Sequence, residues 1–167
     1  INTSELEVVL DLPFVLRKDS VKTALSASKG MIAIMTKAKA LFAGCLVTYR
    51  FPEYELSSQR VLEALHIETH TLPELMCCGQ VLQGINPNWI YMTAYNLALM
   101  EQKDMDVITL CGGCTNTFKR VQSMCQQNPR VLEDINRVLT RVGIKFHNTV
   151  KIQHILELLY EHTDEIK

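Results

Sequence analysis

The sequence predicts an α/β domain with three layers, in which helices cover both faces of a mostly parallel sheet. Two observations lead to this prediction. From Lys39 onwards, short apolar runs of strand length alternate with longer helical patterns. Gly and Pro punctuate the boundaries between them. In such a domain the loops at the carboxyl ends of the strands meet at one edge of the sheet, where ligands bind.

Three apolar runs are predicted to be strands: Ala40–Ala43, His66–Leu72 and Asp106–Leu110. The third has the clearest β pattern of the chain. A further short segment, Lys145–His147, is predicted to be either a connection or a strand. Cysteines follow all three runs, directly or after a few residues, so the sequence places cysteines at the carboxyl edge of the sheet.

Helical patterns fill the spaces between these runs. Two of them follow a proline in the position favoured at the start of a helix. The predicted helices are Glu53–Ala64, Asn88–Gln102, Thr117–Gln126, Asn128 to about Gly143, and Lys151–His162. The alternation of strand, turn and helix is typical of a Rossmann-like domain.

Residues 1–38 differ in pattern from the remainder and are predicted to be a separate N-terminal arm, with the domain proper at 39–167. Ser20–Lys39 has the pattern of an amphipathic helix with Ala, Ser and Lys on its polar face. A packing arm or linker is the simpler interpretation. A helix that docks on a partner or a membrane surface is the alternative, because Ile32, Ile34 and Met35 follow three spaced lysines.

The composition excludes several classes of protein. The chain of 167 residues is 47% hydrophobic and 21% charged, which is typical of a globular domain. Its net charge of −1 gives no electrostatic reason to expect a nucleic-acid partner. No apolar run reaches the about eighteen residues needed to span a bilayer, and the first residues lack the basic region of a secretory signal. We expect a cytoplasmic protein whose contact with a membrane, if any, is peripheral.

The six cysteines are distributed in a way that favours metal ligation over disulfides. Cys77 and Cys78 are adjacent, and adjacent cysteines rarely bond to each other. Cys111 and Cys114 share a Cys-Gly-Gly-Cys loop, which presents two sulfurs to one site. Soft thiolates of this kind select zinc, copper(I) and iron–sulfur clusters.

The number of cysteines at the sheet edge favours an iron–sulfur centre. A structural zinc site uses four ligands, whereas five cysteines are predicted to converge: Cys45, Cys77, Cys78, Cys111 and Cys114. A zinc site with one spare thiol remains the alternative. Cys125 is interpreted as a small buried hydrophobic residue.

The spacing and flanks of these cysteines resemble one CCG repeat of the heterodisulfide reductase B-type polypeptide. The matching motifs are Gly44-Cys45, Cys77-Cys78-Gly79 and Cys111-Gly112-Gly113-Cys114. The flanking segments that resemble the N-terminal half of that polypeptide are Phe42–Cys45, Tyr49–Pro52, Asp106–Cys111 and Val150–Tyr160. The similarity extends from about Lys39 to Glu161, and it covers one repeat where the family polypeptide has two.

The resemblance implies a noncubane [4Fe–4S] cluster held by the five cysteine thiolates, and electron transfer to a disulfide or thiol substrate. It implies two partners, a ferredoxin-like iron–sulfur subunit and a flavoprotein subunit, and a second CCG repeat that would lie on another chain or elsewhere. It also places His154 near the substrate sulfur; a partly exposed histidine on the last helix is an equally good interpretation. Arg50 and Lys151 could steer an anionic thiol, although solvated surface charges explain them more simply.

Two other functions remain open. Related repeats occur in electron-transfer or membrane-docking subunits of quinone-linked dehydrogenases that act on succinate, glycolate or lactate. The other is a structural zinc-binding module that holds a complex together without catalysis.

Overall fold

The computed structural model describes residues 37–166. The predicted N-terminal arm lies almost wholly outside these residues, so the arm and its helix stay predictions. Ala38 and Lys39, the last two residues of the predicted amphipathic helix, are instead the start of the first strand. The predicted helix is therefore wrong at its carboxyl end.

Four parallel strands form one sheet in the described part of the chain. They are β1 (Ala38–Phe42), β2 (Thr69–His70), β3 (Met105–Thr109) and β4 (Ile152–His154). Their order is β2-β1-β3-β4, and each neighbouring pair is parallel. This confirms the predicted α/β fold with a parallel sheet.

Seven α-helices accompany this sheet within residues 37–166. They are α1 (Cys45–Arg50), α2 (Pro52–Ala64), α3 (Trp89–Gln102), α4 (Gly112–Gln127), α5 (Pro129–Leu139), α6 (Ile155–Glu161) and α7 (Thr163–Ile166). Short 3-10 turns lie at Gln80–Leu82 and Thr140–Val142. None of the helices between residues 37 and 166 has both the length and the apolar character required to cross a bilayer.

Two hydrophobic cores on opposite faces of the sheet produce the three layers. Along β1, Ala40 and Phe42 belong to the larger core with α3, α4 and α5, whereas Leu41 belongs to the smaller core with α2 and α6. The same alternation separates Val107 from Ile108 on β3. Because successive side chains of a strand point to opposite faces, both faces of each central strand are covered.

The carboxyl-terminal region differs from the predicted one. The predicted helix that starts at Lys151 is wrong over residues 152–154, which form β4, and Val107 and Thr109 of β3 pair with Ile152 and His154. These residues form the outer strand of the sheet because they pair with β3. This tertiary contact overrides the local helical pattern. Lys145–His147 is a connection rather than a strand.

One helix was not predicted, and another begins earlier than expected. The structure adds α1 directly at Cys45, and α4 starts at Gly112 rather than near Thr117. Both helices therefore begin within the cysteine motifs. Glycines obscured this signal, because they weaken a helical pattern without excluding a helix from its first turn.

Candidate metal centre

The cysteine motifs occupy three loops at the carboxyl edge of the sheet. Cys45 opens α1 after β1, and Cys111 is the N-cap of α4 after β3. Cys77 and Cys78 lie in the connection that follows β2. Because β2, β1 and β3 are neighbours and parallel, these loops meet on the same side of the sheet.

A cavity of about 340 Å³ opens between the three loops, and all five predicted ligands line it. Cys78 and Cys114 are each 3% exposed, whereas Cys45 is exposed and Cys77 and Cys111 are partly buried. The other lining residues are Leu46, Tyr49, Arg50, Gln80 and Val81. The cavity thus has buried thiols at its base and an apolar rim with one cationic side chain.

The thiols lie close enough together to shift one another's pKa values. The thiol of Cys114 donates to Cys78, which lowers the pKa of Cys78 to about 6, and Cys77 supports the same shift. That bond, together with burial, raises the pKa of Cys114. Burial is also the main cause of the raised pKa of Cys77, which lies within hydrogen-bond reach of Cys45. Five thiols this close would repel one another as thiolates, so the site needs a cationic group to hold all of them ionised.

Two glycines allow this close approach. Gly44 has φ +84°, and a Cβ on it would lie 2.8 Å from the Sγ of Cys114. Gly79 has φ +86°, and a Cβ there would lie 3.0 Å from the carbonyl oxygen of Trp89. Any other residue at Gly44 would push the end of β1 away from the Cys-Gly-Gly-Cys loop.

Buried polar side chains of two helices hold the cysteine loops. Thr115 of α4 donates to the carbonyl oxygen of Cys111 at 3.0 Å. Thr93 of α3 donates to the carbonyl oxygen of Cys78 at 2.7 Å, and Asn96 bonds to the backbone of Met76 and Cys77. Sequence reasoning missed these residues. The available signal was a pair of polar residues, three positions apart, inside an otherwise apolar stretch of α3.

The donor set of five thiols around one cavity fits an iron–sulfur cluster. All six cysteines of the chain are free thiols, and soft thiolates are the usual ligands of such clusters. Between residues 37 and 166, no group of three or more His, Cys, Asp or Glu side chains is arranged to hold one metal ion. The five thiols line one cavity of about 340 Å³.

Of the other residues singled out from the sequence, Arg50 lies at the cavity, whereas His154 and Cys125 do not line it. The prediction that His154 lies on the last helix is wrong, because His154 is the last residue of β4. It is also the N-cap of α6, and its Nδ1 accepts the backbone N–H of Leu156. Cys125 is 4% exposed within the larger core, and burial raises its pKa to about 11. Its interpretation as a buried hydrophobic residue is confirmed.

Comparison with known families matches the segment that carries the cysteines. A family model described as "CCG: Cysteine-rich domain" matches residues 39–119. This range includes β1 except for Ala38, β2, β3 and all five cysteines of the cavity.

Similar proteins are found among redox enzymes of archaea and bacteria. The chain is 30% identical to the B-type polypeptide of the ferredoxin:CoB-CoM heterodisulfide reductase of Methanosarcina mazei. The aligned segment of 125 residues covers 73% of this chain and 42% of that protein. The chain is 29% identical over 124 residues to a heterodisulfide reductase B-like protein of Archaeoglobus profundus, again 42% of that protein. It is 26% identical over 135 residues to the 8-methylmenaquinol:fumarate reductase membrane anchor subunit of Wolinella succinogenes, 80% of this chain and 47% of that protein. The chain therefore spans less than half the length of these relatives.

A solved structure shares the fold. A hypothetical protein from Helicobacter pylori superposes with a TM-score of 0.67 and 20% identity, over 75% of this chain and 25% of that one. At this identity the likeness supports the architecture alone.

Proposed function

Because residues 39–119 of this chain are a cysteine-rich domain of the CCG family, we propose that it is an iron–sulfur redox subunit similar to the heterodisulfide reductase B-type polypeptide. In this proposal a noncubane [4Fe–4S] cluster is held by the thiolates of the five cavity cysteines: Cys45, Cys77, Cys78, Cys111 and Cys114. The observation that carries it is the convergence of these thiols, from three separate loops, on one cavity of about 340 Å³.

The chemistry that the bound cluster would supply is electron transfer. The chain's own residues would provide its surroundings. Cys78 and Cys114, each 3% exposed, place part of the site away from water. Cys111 and Cys114 lie at the start of α4, a helix of 16 residues whose N-terminal dipole stabilises thiolate charge. Leu46 and Val81 add apolar side chains to the lining of the cavity.

A disulfide or thiol is the substrate that this proposal assigns to the site. The exposed position of Cys45 leaves one side of the cavity open. Arg50 on the rim supplies a positive charge for an anionic substrate. His154 is paired with Thr109 two residues before Cys111, so it lies level with the cysteine edge of the sheet. Its Nδ1 accepts a backbone hydrogen bond, so in this proposal Nε2 would donate to the part of the substrate that extends beyond the residues lining the cavity.

The partners of the proposal are a ferredoxin-like iron–sulfur subunit, a flavoprotein subunit and a second CCG repeat on another chain. The similarity to a polypeptide of a ferredoxin:CoB-CoM heterodisulfide reductase supports the ferredoxin-like partner. The share of 42% of those relatives supports a second repeat outside the matched region. Six free thiols fit the reducing cytoplasm.

Anaerobic iron and sulfide analysis tests the cluster, combined with EPR of the oxidised chain in the presence and absence of a thiol. We expect roughly four irons and four sulfides per chain, and an EPR signal that depends on the thiol. One zinc per chain without iron would overturn the proposal. If iron and sulfide are present but the EPR signal is the same with and without thiol, the proposal of cluster binding stands and the proposal of a disulfide substrate is overturned.

A second candidate is an electron-transfer or docking subunit of a quinone-linked dehydrogenase. The similarity to a menaquinol:fumarate reductase membrane anchor subunit favours it. Flotation with phospholipid vesicles separates the two candidates. Binding of the full chain to vesicles, with no response of the EPR signal to thiols, would favour the quinone-linked function.

A further inference from the structure

Helix α3 carries two polar side chains in the middle of the larger core. Thr93 and Asn96 are both 0% exposed, and so are their apolar neighbours Ala94, Leu97 and Ala98. A buried amide or hydroxyl destabilises the fold unless it is hydrogen-bonded. Asn is also a poor helix former compared with Leu or Ala. The two residues are therefore explained by the bonds that they make.

Asn96 uses both ends of its amide on one short stretch of the cysteine loop. Its Oδ1 accepts the backbone N–H of Met76 at 2.8 Å, and its Nδ2 donates to the carbonyl oxygens of Met76 at 2.9 Å and Cys77 at 3.2 Å. Met76 and Cys77 lie outside any helix or strand. The side-chain amide thus replaces the backbone partner that regular secondary structure would provide.

Thr93 lies three residues earlier, on the same face of α3. Its hydroxyl lies 2.7 Å from the carbonyl oxygen of Cys78 and 3.0 Å from that of Trp89. A Cβ on Gly79 would come within 3.3 Å of this hydroxyl. The loop therefore rests directly on α3, and three successive carbonyl groups, of residues 76, 77 and 78, are fixed by two side chains.

This anchoring answers a geometric problem of adjacent ligands. In an extended chain, neighbouring side chains point to opposite sides, yet Cys77 and Cys78 both line the same cavity. The backbone between them must depart from the extended form. Gly79 at φ +86° takes up the turn on one side, and the bonds to α3 hold the backbone on the other.

We propose that Asn96 and Thr93 are positioning residues, which fix the backbone of residues 76–78 so that both adjacent thiols face the cavity. The proposal rests on the proposed function in that it regards Cys77 and Cys78 as ligands. The anchoring itself is a property of the chain without iron, so it is measured separately.

Alkylation of the metal-free full chain by iodoacetamide, with the modified cysteine identified by mass spectrometry, measures the position of each thiol. Asn96→Leu removes all three bonds and keeps a side chain suited to an apolar helix face. We expect Cys78, normally 3% exposed, to react about tenfold faster in this variant, because the loss of buried hydrogen bonds favours local opening. Cys125 on α4 serves as the internal reference, since only wider unfolding would expose it.

Asn136 provides a matched control. Its amide makes the same kind of clamp on Phe146, with bonds of 2.8 and 2.9 Å to the backbone N–H and carbonyl oxygen, but no cysteine is involved. Asn136→Leu should leave the Cys78 rate within about twofold of wild type. Equal rates at Cys78 in Asn96→Leu and Asn136→Leu would overturn the proposal.

Thr93→Val and Thr93→Ser decide the matter if Asn96→Leu does not fold, as judged by circular dichroism. Valine keeps the shape and removes the hydroxyl, so Cys78 should again react faster; serine restores the hydroxyl and should restore the slow rate. A fast rate in both variants, or in neither, would overturn the proposal. In the iron-loaded chain, we expect Asn96→Leu to change the EPR signal and lower the iron content, while Asn136→Leu changes neither. If wild type takes up no iron, the proposed function fails, and the alkylation rates still decide the anchoring.

Discussion

The hydroxyl oxygens of Thr109 and Thr115 lie 2.6 Å apart in the protein interior. Thr109 is the last residue of β3, and Thr115 lies in the first turns of α4. Thr115 in turn donates to the carbonyl oxygen of Cys111, the N-cap between them. One short chain of hydroxyls therefore joins the central strand, the cysteine loop and the helix that follows it.

Replacing Thr115 by valine should destabilise the fold more than its size suggests. The change leaves the buried hydroxyl of Thr109 with only a long contact of 3.4 Å to the carbonyl oxygen of Gln153. An unsatisfied buried polar group costs about 1–3 kcal/mol, and urea unfolding of the metal-free chain measures it. Thr140→Val is the control, because the hydroxyl of Thr140 bonds to Asn136 at an exposed site. Equal losses for the two variants would contradict the role given to the Thr109–Thr115 pair.

Gly44→Ala should damage the site beyond the strain that a positive φ alone imposes on alanine. A Cβ would lie 2.8 Å from the Sγ of Cys114 and 3.5 Å from the Cβ of Cys111. Gly84 is the matched control, since its φ of +86° is nearly the same and a Cβ there meets nothing within 4 Å. Gly44→Ala should cost on the order of 1–3 kcal/mol from backbone strain, because φ +84° and ψ +149° form a conformation essentially restricted to glycine. Only Gly44→Ala, and not Gly84→Ala, should lower the iron bound per chain. Equal iron in the two variants would argue against contact between β1 and the Cys-Gly-Gly-Cys loop.

The central part of the fold could be predicted from local pattern. The last three residues of β1 and of β3 are buried, so each strand ends in a short, largely apolar run that lies shortly before a cysteine. The proline-led α2 and α5 begin where the sequence indicates. The convergence of the cysteines followed from the parallel order of the strands, since it needs only the rule that carboxyl ends share one edge.

Features set by tertiary contacts could not be predicted. β4 is a three-residue strand that depends on pairing with β3, and its sequence, Ile-Gln-His, has no distinct pattern of its own. The positions of Asn96 and Thr93 depend on the loop that folds against α3 from about 20 residues away. A polar residue in an apolar helix indicates that a partner exists, but its identity depends on the packing.

Glu157→Gln should lower stability slightly and in a pH-dependent way. The bond from Lys119, at 2.8 Å, and the backbone N–H of His154 hold the pKa of Glu157 below its usual range. A lowered pKa in the folded state means that the stabilisation is present above the usual pKa of Glu and is lost as the pH falls through the folded value. The side chain is 50% exposed, so solvent screening keeps the effect within about 1 kcal/mol at pH 7. Urea unfolding between pH 7 and 3 should show the difference from wild type shrinking at low pH. A difference that stays constant with pH would contradict this origin.

Single cysteine variants separate the proposed cluster ligands from the cysteine that only packs in the core. Cys45→Ala should lower iron content although Cys45 is exposed and contributes little to the core, because the proposed function makes it a cluster ligand. Cys125→Ala should have the opposite profile. Cys125 is 4% exposed in the larger core and does not line the cavity, so its loss should cost about 1 kcal/mol of stability and leave the iron content intact.

Iron and sulfide analysis measures the cluster content of each variant, and urea unfolding of the metal-free chain measures its stability. Cys77, Cys78, Cys111 and Cys114 should follow Cys45 in iron loss, since all line the same cavity. The two buried ones, Cys78 and Cys114, should also lose stability in the metal-free chain, because each leaves a cavity and breaks the hydrogen bond between them. Full iron in Cys45→Ala, or lost iron in Cys125→Ala, would contradict the assignment of the thiols.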